Sequence, residues 1–197
     1  MWTLEEFYLE LQEREGLNPV PLVAPWAAQH IDAIIKTLSG AFANANLRNT
    51  IVPIKSGSTN QSIGNQIASF VVTQLNPRLE AFEIDDCSGY GYPDKMLRQL
   101  ASGRVFPFEV KATSQWNPSD SNRRVLTSSS RKLRDRFRDP INHLLVTILY
   151  RQCADEYCVD EIRLDFLEPS TNVNIRLEAS VNHKILHDGA HRNATIR

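Results

Sequence analysis

Apolar positions recur along this chain with two different periods, and the predicted elements change where the period changes. Leu4, Phe7, Tyr8 and Leu11 fall at helical spacing behind Thr3, a good N-cap residue, and the pattern stops at Gly16, so a first helix is predicted. Pro19 and Pro21 make a rigid connection. Pro25 suits the first turn of a second helix, rich in alanine and isoleucine, that reaches about Asn46. Residues 1–50 thus read as an N-terminal helical extension to a core of residues 51–197.

In the core, Ile51 to Ile54 suits a short strand or a loop, and a polar stretch from Ser56 leads into a helix from about Asn60 to Asn76. Ile63, Ile67, Phe70, Val71 and Leu75 form one stripe of that helix, which should pack on a sheet, and Pro77 stops it. The period then shortens to that of strands. Ala81 to Ile84 is β-like, Asp94 to Leu100 reads as a strand, Ala101 to Arg104 as a hairpin turn, and Val105 to Thr113 as the returning strand. Further on come a polar loop, a helix from Ser128 to Phe137 and a buried strand from His143 to Tyr150. Val159 to Leu167 alternates, with Ile162, Leu164 and Phe166 on one face, and the tail from Asn174 adds one more strand. The order predicts a mixed α/β domain with a central sheet of about five strands flanked by helices.

Composition narrows the class. A hydrophobic content of 42% and a charged content of 23% are those of an ordinary globular protein. Glu5, Glu6, Glu10, Glu13 and Glu15 give an acidic start, unlike a signal peptide, and the run Leu144 to Tyr150 is too short to span a bilayer. The expectation is a cytoplasmic protein with no membrane partner. Cys87, Cys153 and Cys158 contain no CxxC pair and read as free thiols. The net charge of -1 conceals a basic segment, because residues 123–138 hold seven cations against Asp135 alone.

Candidate chemistry concentrates on the hairpin. Glu109 and Lys111 are two apart, so their side chains share one face of the strand, while Phe108 and Val110 face a core. Folding the hairpin back brings Asp94 near Glu109, placing two carboxylates and an ammonium in one small volume. Adjacent carboxylates are reconciled by a raised pKa, a cationic partner or a divalent metal. Hard oxygen ligands favour Mg²⁺, with Mn²⁺ able to substitute, and a lysine beside such an ion can serve a metal-bound water. That chemistry is phosphodiester hydrolysis. Glu83, Asp85 and Asp86 supply rival carboxylates just upstream.

Through Pro93-Asp94 and Glu109-Val110-Lys111 the chain resembles the PD-(D/E)xK nuclease superfamily, the restriction-endonuclease-like fold, over roughly residues 56–150. The resemblance is nearest to a type II restriction endonuclease. It implies Asp94 and Glu109 as metal ligands, the carbonyl of Val110 as a further ligand, and Lys111 serving the attacking water. Many members place Glu or Gln on the preceding helix, and Gln66 is the residue here. Double-stranded DNA would be the substrate and a homodimer the active form, since cutting both strands needs two sites, with residues 1–50 a candidate interface.

Ser114, Gln115, Trp116 and Asn117, followed by Arg123 and Arg124, are polar, aromatic and basic groups suited to bases and phosphates, and Arg131 and Lys132 continue the set on the next helix. Ser128, Ser129 and Ser130 offer a cap and exposed amides that can hold a phosphate. His183, His187 and His191 recur every four residues, but Gly189 interrupts any helix that would align them on a metal. Rival readings are another DNA-processing nuclease of the same fold, a catalytically inactive DNA-binding or assembly module on that fold, and a two-carboxylate hydrolase such as a glycosidase.

Overall fold

The structure, a computed structural model, describes residues 2–88, 92–115, 125–127, 130–177, 181–185 and 192–197. In chain order the elements are β1 (Trp2–Thr3), α1 (Leu4–Arg14), α2 (Ala28–Asn44), β2 (Ile51–Val52), α3 (Asn60–Leu75), a 3-10 turn (Asn76–Arg78), β3 (Phe82–Asp86), β4 (Lys95–Gln99) and β5 (Val105–Thr113). There follow β6 (Val125–Thr127), α4 (Ser130–Arg136), β7 (His143–Cys153), β8 (Glu156–Leu167), β9 (Asn172–Leu177), β10 (Val181–Ile185) and β11 (Arg192–Ile196).

The principal sheet runs β11-β8-β7-β5-β4-β3, with β2 also paired to β8. All of its pairs are antiparallel except β5 with β7. This mixed sheet is covered on both faces. α2 and α3 lay Ile31, Ile34, Leu38, Ile63, Ile67 and Val71 against Phe106, Phe108, Leu144, Val146, Leu164 and Phe166 on one face. On the other, α1 and α4 bury Phe7, Tyr8, Leu11 and Leu133 with Tyr92, Leu145 and Leu167. Alternate residues of β7 therefore serve different cores, as the pleat of a central strand requires.

Local chemistry accounts for the helix ends. Thr3 and Glu6 form a reciprocal capping box at α1, Thr3 N donating to Glu6 Oε2 at 2.7 Å and Glu6 N to Thr3 Oγ1 at 3.2 Å. α2 begins at Ala28, later than Pro25 suggests. Residues 22–26 are held extended by a bridge between Val23 and Ile141, by Asn142 Nδ2 donating to Pro25 O at 2.8 Å, and by Trp26 N donating to the Glu168 carboxylate. Since the apolar stripes of α1 and α2 are buried within the chain, residues 2–50 cover both faces of the core.

The hairpin β4–β5 forms as expected, with Gly103 at φ 69 in its turn and Gln99 N donating to Arg104 O at 2.8 Å. Pro107 lies opposite Met96, one residue before the parallel ladder with β7 starts at Phe108 and Leu144, so its missing N–H falls ahead of that ladder.

One expectation needs correction. The tail supplies β9, β10 and β11 where one strand was predicted, because its partners are distant segments, β1, β6 and β8, that local pattern does not reveal. A second, four-stranded sheet of order β1-β9-β10-β6 results. No helix among the described residues is long and apolar enough to cross a membrane.

Candidate active site

Cross-strand register builds the site. Lys95 lies opposite Phe108, so Asp94, one residue before β4, falls beside Glu109. Cys87 N donates to Asp94 O at 2.9 Å, closing the loop between β3 and β4 at its neck, and the Tyr92–Pro93 bond within that loop is cis. Glu109 and Lys111 share a face, and Lys111 Nζ contacts Glu109 Oε1. The structure thus brings together Asp94, Glu109 and Lys111, with Asp94 exposed, Lys111 half-buried and Glu109 5% exposed.

Burial dominates the electrostatics here. The Glu109 carboxyl is raised to about 7, first because it is buried and further by the neighbouring Asp94 charge, while Lys111 acts in the opposite direction. Its Oε2 is buried with no donor among the described residues, and a hydrogen bond between the Glu109 and Asp94 carboxyls further favours the protonated form. Beneath it runs a stack of rings: Tyr92 lies flat on His143 at 5.3 Å between centroids, and Tyr8 approaches His143 at the same distance. His143 is fully buried, its Nε2 lies 3.1 Å from Leu22 O, and burial lowers its pKa to about 4. The imidazole is therefore neutral at pH 7.

The rival carboxylates are engaged elsewhere. Arg98 bonds Glu83 at 2.7 Å and Asp85 at 2.9 Å across the β3–β4 pair, and Lys95 pairs with Asp86. The Gln66 amide bonds other partners than the three hairpin residues. Its Oε1 accepts from Lys55 N at 2.9 Å and its Nε2 donates to Ser58 Oγ at 2.9 Å, so its amide secures the loop ahead of α3.

Several further polar residues share the site's face. Leu145 lies opposite Glu109 and Thr147 opposite Lys111, and on the next strand these pair with Asp165 and Arg163. Asp165 is fully buried and accepts from Arg163 Nη2 at 3.1 Å. The available signal was β8's second face, where polar residues alternate with the apolar ones that define the strand.

Of the residues read as DNA contacts, Ser114 and Gln115 are exposed just beyond the C-terminal end of β5. Trp116, Asn117, Arg123 and Arg124 lie outside the described residues, as do Ser128, Ser129, His187 and His191, and of His183 only its backbone place in β10 is described. α4 is turned inward more than its charge suggests. Arg131 bonds Glu15 O, Arg134 Nη1 donates to Asn18 O at 2.7 Å, and Lys132 Nζ donates to Pro93 O at 2.9 Å. At Ser130 the helix start faces the Glu15 carboxylate, whose Oε2 accepts from Ser130 Oγ and from Arg131 N, so an internal anion takes the role expected of a phosphate.

A divalent cation fits the oxygen set. A buried carboxylate oxygen without a partner, next to a second carboxylate, is satisfied by a proton or by a cation. Among the described residues no group of three or more His, Cys, Asp or Glu is placed to hold a metal. Two carboxylates at the hairpin therefore leave the remaining positions to main-chain oxygen, water and substrate, a set typical of Mg²⁺ and unlike that of zinc. The fold and site together define a mixed α/β protein with a paired-carboxylate and lysine cluster on a central hairpin. No protein-family model and no curated protein matches the chain.

Proposed function

We propose that the protein is a divalent-metal-dependent endodeoxyribonuclease of the PD-(D/E)xK, restriction-endonuclease-like class, and within it a sequence-specific type II enzyme cutting double-stranded DNA. The observation that carries this reading is the convergence of Asp94, Glu109 and Lys111 through the β4–β5 hairpin, with Glu109 Oε2 buried and given no donor among the described residues. The span of the resemblance, residues 56–150, folds as α3, the β4–β5 hairpin that carries the motif, α4 and β7 with short strands between, which also supports it.

Asp94 and Glu109 would hold Mg²⁺, with Mn²⁺ a substitute and the Val110 carbonyl a further ligand. When bound, the ion supplies a water of lowered pKa and neutralises charge on the phosphoryl group. Lys111 Nζ then leaves Glu109 to orient the attacking water at the scissile phosphate. Glu109 acts as a ligand in its ionised form, so its proton must be lost as the cation arrives. Cleavage of both strands requires two such sites, hence two copies of the chain.

Supercoiled plasmid incubated with Mg²⁺ or with EDTA tests the proposal, comparing wild type with Asp94→Asn and Lys111→Ala. Cleavage is expected from wild type with Mg²⁺ only. Cleavage surviving in both variants would remove these residues from the reaction, and discrete fragments would separate a sequence-specific enzyme from a nonspecific one.

The engagement of Gln66 with Lys55 and Ser58 favours a second reading, a catalytically inactive DNA-binding or assembly module of the same fold. A mobility shift without cleavage on varied DNA is its signature.

A further inference from the structure

The loop between β3 and β4 leaves the sheet at Asp86, returns at Lys95 and carries Asp94. Two basic side chains of α4 grip it from outside the sheet. Lys132 Nζ donates to Pro93 O at 2.9 Å, and Arg136 Nη1 donates to Ser88 Oγ at 3.2 Å. Residues four apart lie on one face of a helix, so α4 spans the loop and touches both of its arms.

A seven-residue helix has little stability of its own, and α4 owes its position to anchors elsewhere. Leu133 is buried in the core shared with α1, Arg131 and Arg134 bond Glu15 O and Asn18 O, and Ser130 bonds the Glu15 carboxylate. The placement of the Asp94 loop is thereby referred to α1.

We infer that α4 is a clamp on the metal-ligand loop, and that Lys132 is a positioning residue for Asp94 rather than a contact to DNA. The inference rests on the reading of Asp94 and Glu109 as cation ligands. Pro93 O belongs to the planar peptide unit whose nitrogen is that of Asp94, so fixing this oxygen fixes the plane from which the Asp94 side chain departs. The bond is charge-assisted and joins a half-buried ammonium to a buried proline, which makes it stronger and less screened than a surface contact. A phosphate contact would need the same ammonium turned outward.

Three measurements on wild type, Lys132→Met, Lys132→Arg and Asp94→Asn test this: Mn²⁺ binding, hydrogen exchange at the Cys87 amide, and the salt dependence of DNA binding in EDTA. Lys132→Met is expected to weaken Mn²⁺ binding by about tenfold. It should also speed exchange at Cys87, whose N–H closes the loop on Asp94 O, while leaving the salt slope unchanged. Lys132→Arg should restore the first two. A slope lower by about one, with Mn²⁺ binding and exchange unaltered, would make Lys132 a phosphate contact and overturn the inference. Wild type and Asp94→Asn binding Mn²⁺ equally would instead defeat the cation reading of the site. The clamp then stands or falls on Cys87 exchange. Should Lys132→Met not fold, wild type alone decides, because a Cys87 amide as unprotected as a free loop contradicts a clamped neck.

Discussion

Lys111 and Glu109, two residues apart on one strand, meet through Nζ and Oε1, while the other oxygen of that carboxylate is buried with no donor among the described residues. The Glu109 pKa of about 7 lies above the ordinary 4.5, so the folded chain holds a proton that the unfolded chain has already released. Stability from this group is therefore present at low pH and falls as pH rises from about 4.5 to about 7, by roughly 3 kcal/mol at most. Glu109→Gln should raise the urea midpoint at pH 8 and leave it nearly unchanged at pH 4.5. A variant destabilised equally at both would refute the raised pKa.

The same proton governs cation binding. Below about pH 7 a cation must displace it, so Mg²⁺ or Mn²⁺ affinity should climb by about tenfold per pH unit up to that point and level off above it. Calorimetry in buffers of different ionisation enthalpy should record about one proton released per site at pH 6 and few at pH 8.5.

His143 works in the opposite direction. Its folded pKa of about 4 lies below 6.5, so the unfolded chain takes up the proton first and stability is lost as pH falls from about 6.5 to 4. The loss is on the order of 3 kcal/mol. Between pH 4.5 and 6.5 it opposes the Glu109 effect, and wild-type stability should be nearly flat there. His143→Gln, read by thermal melts across that interval, should unmask a steady decline with rising pH.

β3 is the outer strand of the principal sheet, and Asn76 covers part of its edge: Ile84 N donates to Asn76 Oδ1 at 2.7 Å, and Asn76 Nδ2 to Ile84 O at 3.1 Å. Asn76→Ala exposes both main-chain groups. A loss of about 1–2 kcal/mol is expected, together with concentration-dependent light scattering from edge pairing.

The hairpin was legible in the sequence because alternation and a Gly-containing turn fix its register, and register alone puts Asp94 beside Glu109. The direction in which long polar side chains turn was not. Gln66 lies at the edge of the α3 stripe, and it turned to Lys55 and Ser58. The α4 cations read as an outward surface, yet Arg131, Lys132 and Arg134 reach main-chain carbonyls, which carry no signature in composition. His143 was read as one more member of a buried strand. Only packing shows it set against Tyr8 and Tyr92, where burial disfavours its charged form.

One strand pairing reaches further than its own ladder. β5 and β7 are neighbours that run parallel, so the chain between them must travel back along the molecule before β7 can begin. α4 lies on that return path, on the same side of the sheet as Leu145 and hence as Glu109. Strand polarity, settled by the main chain alone, thus delivers a basic helix to the doorstep of a carboxylate pair.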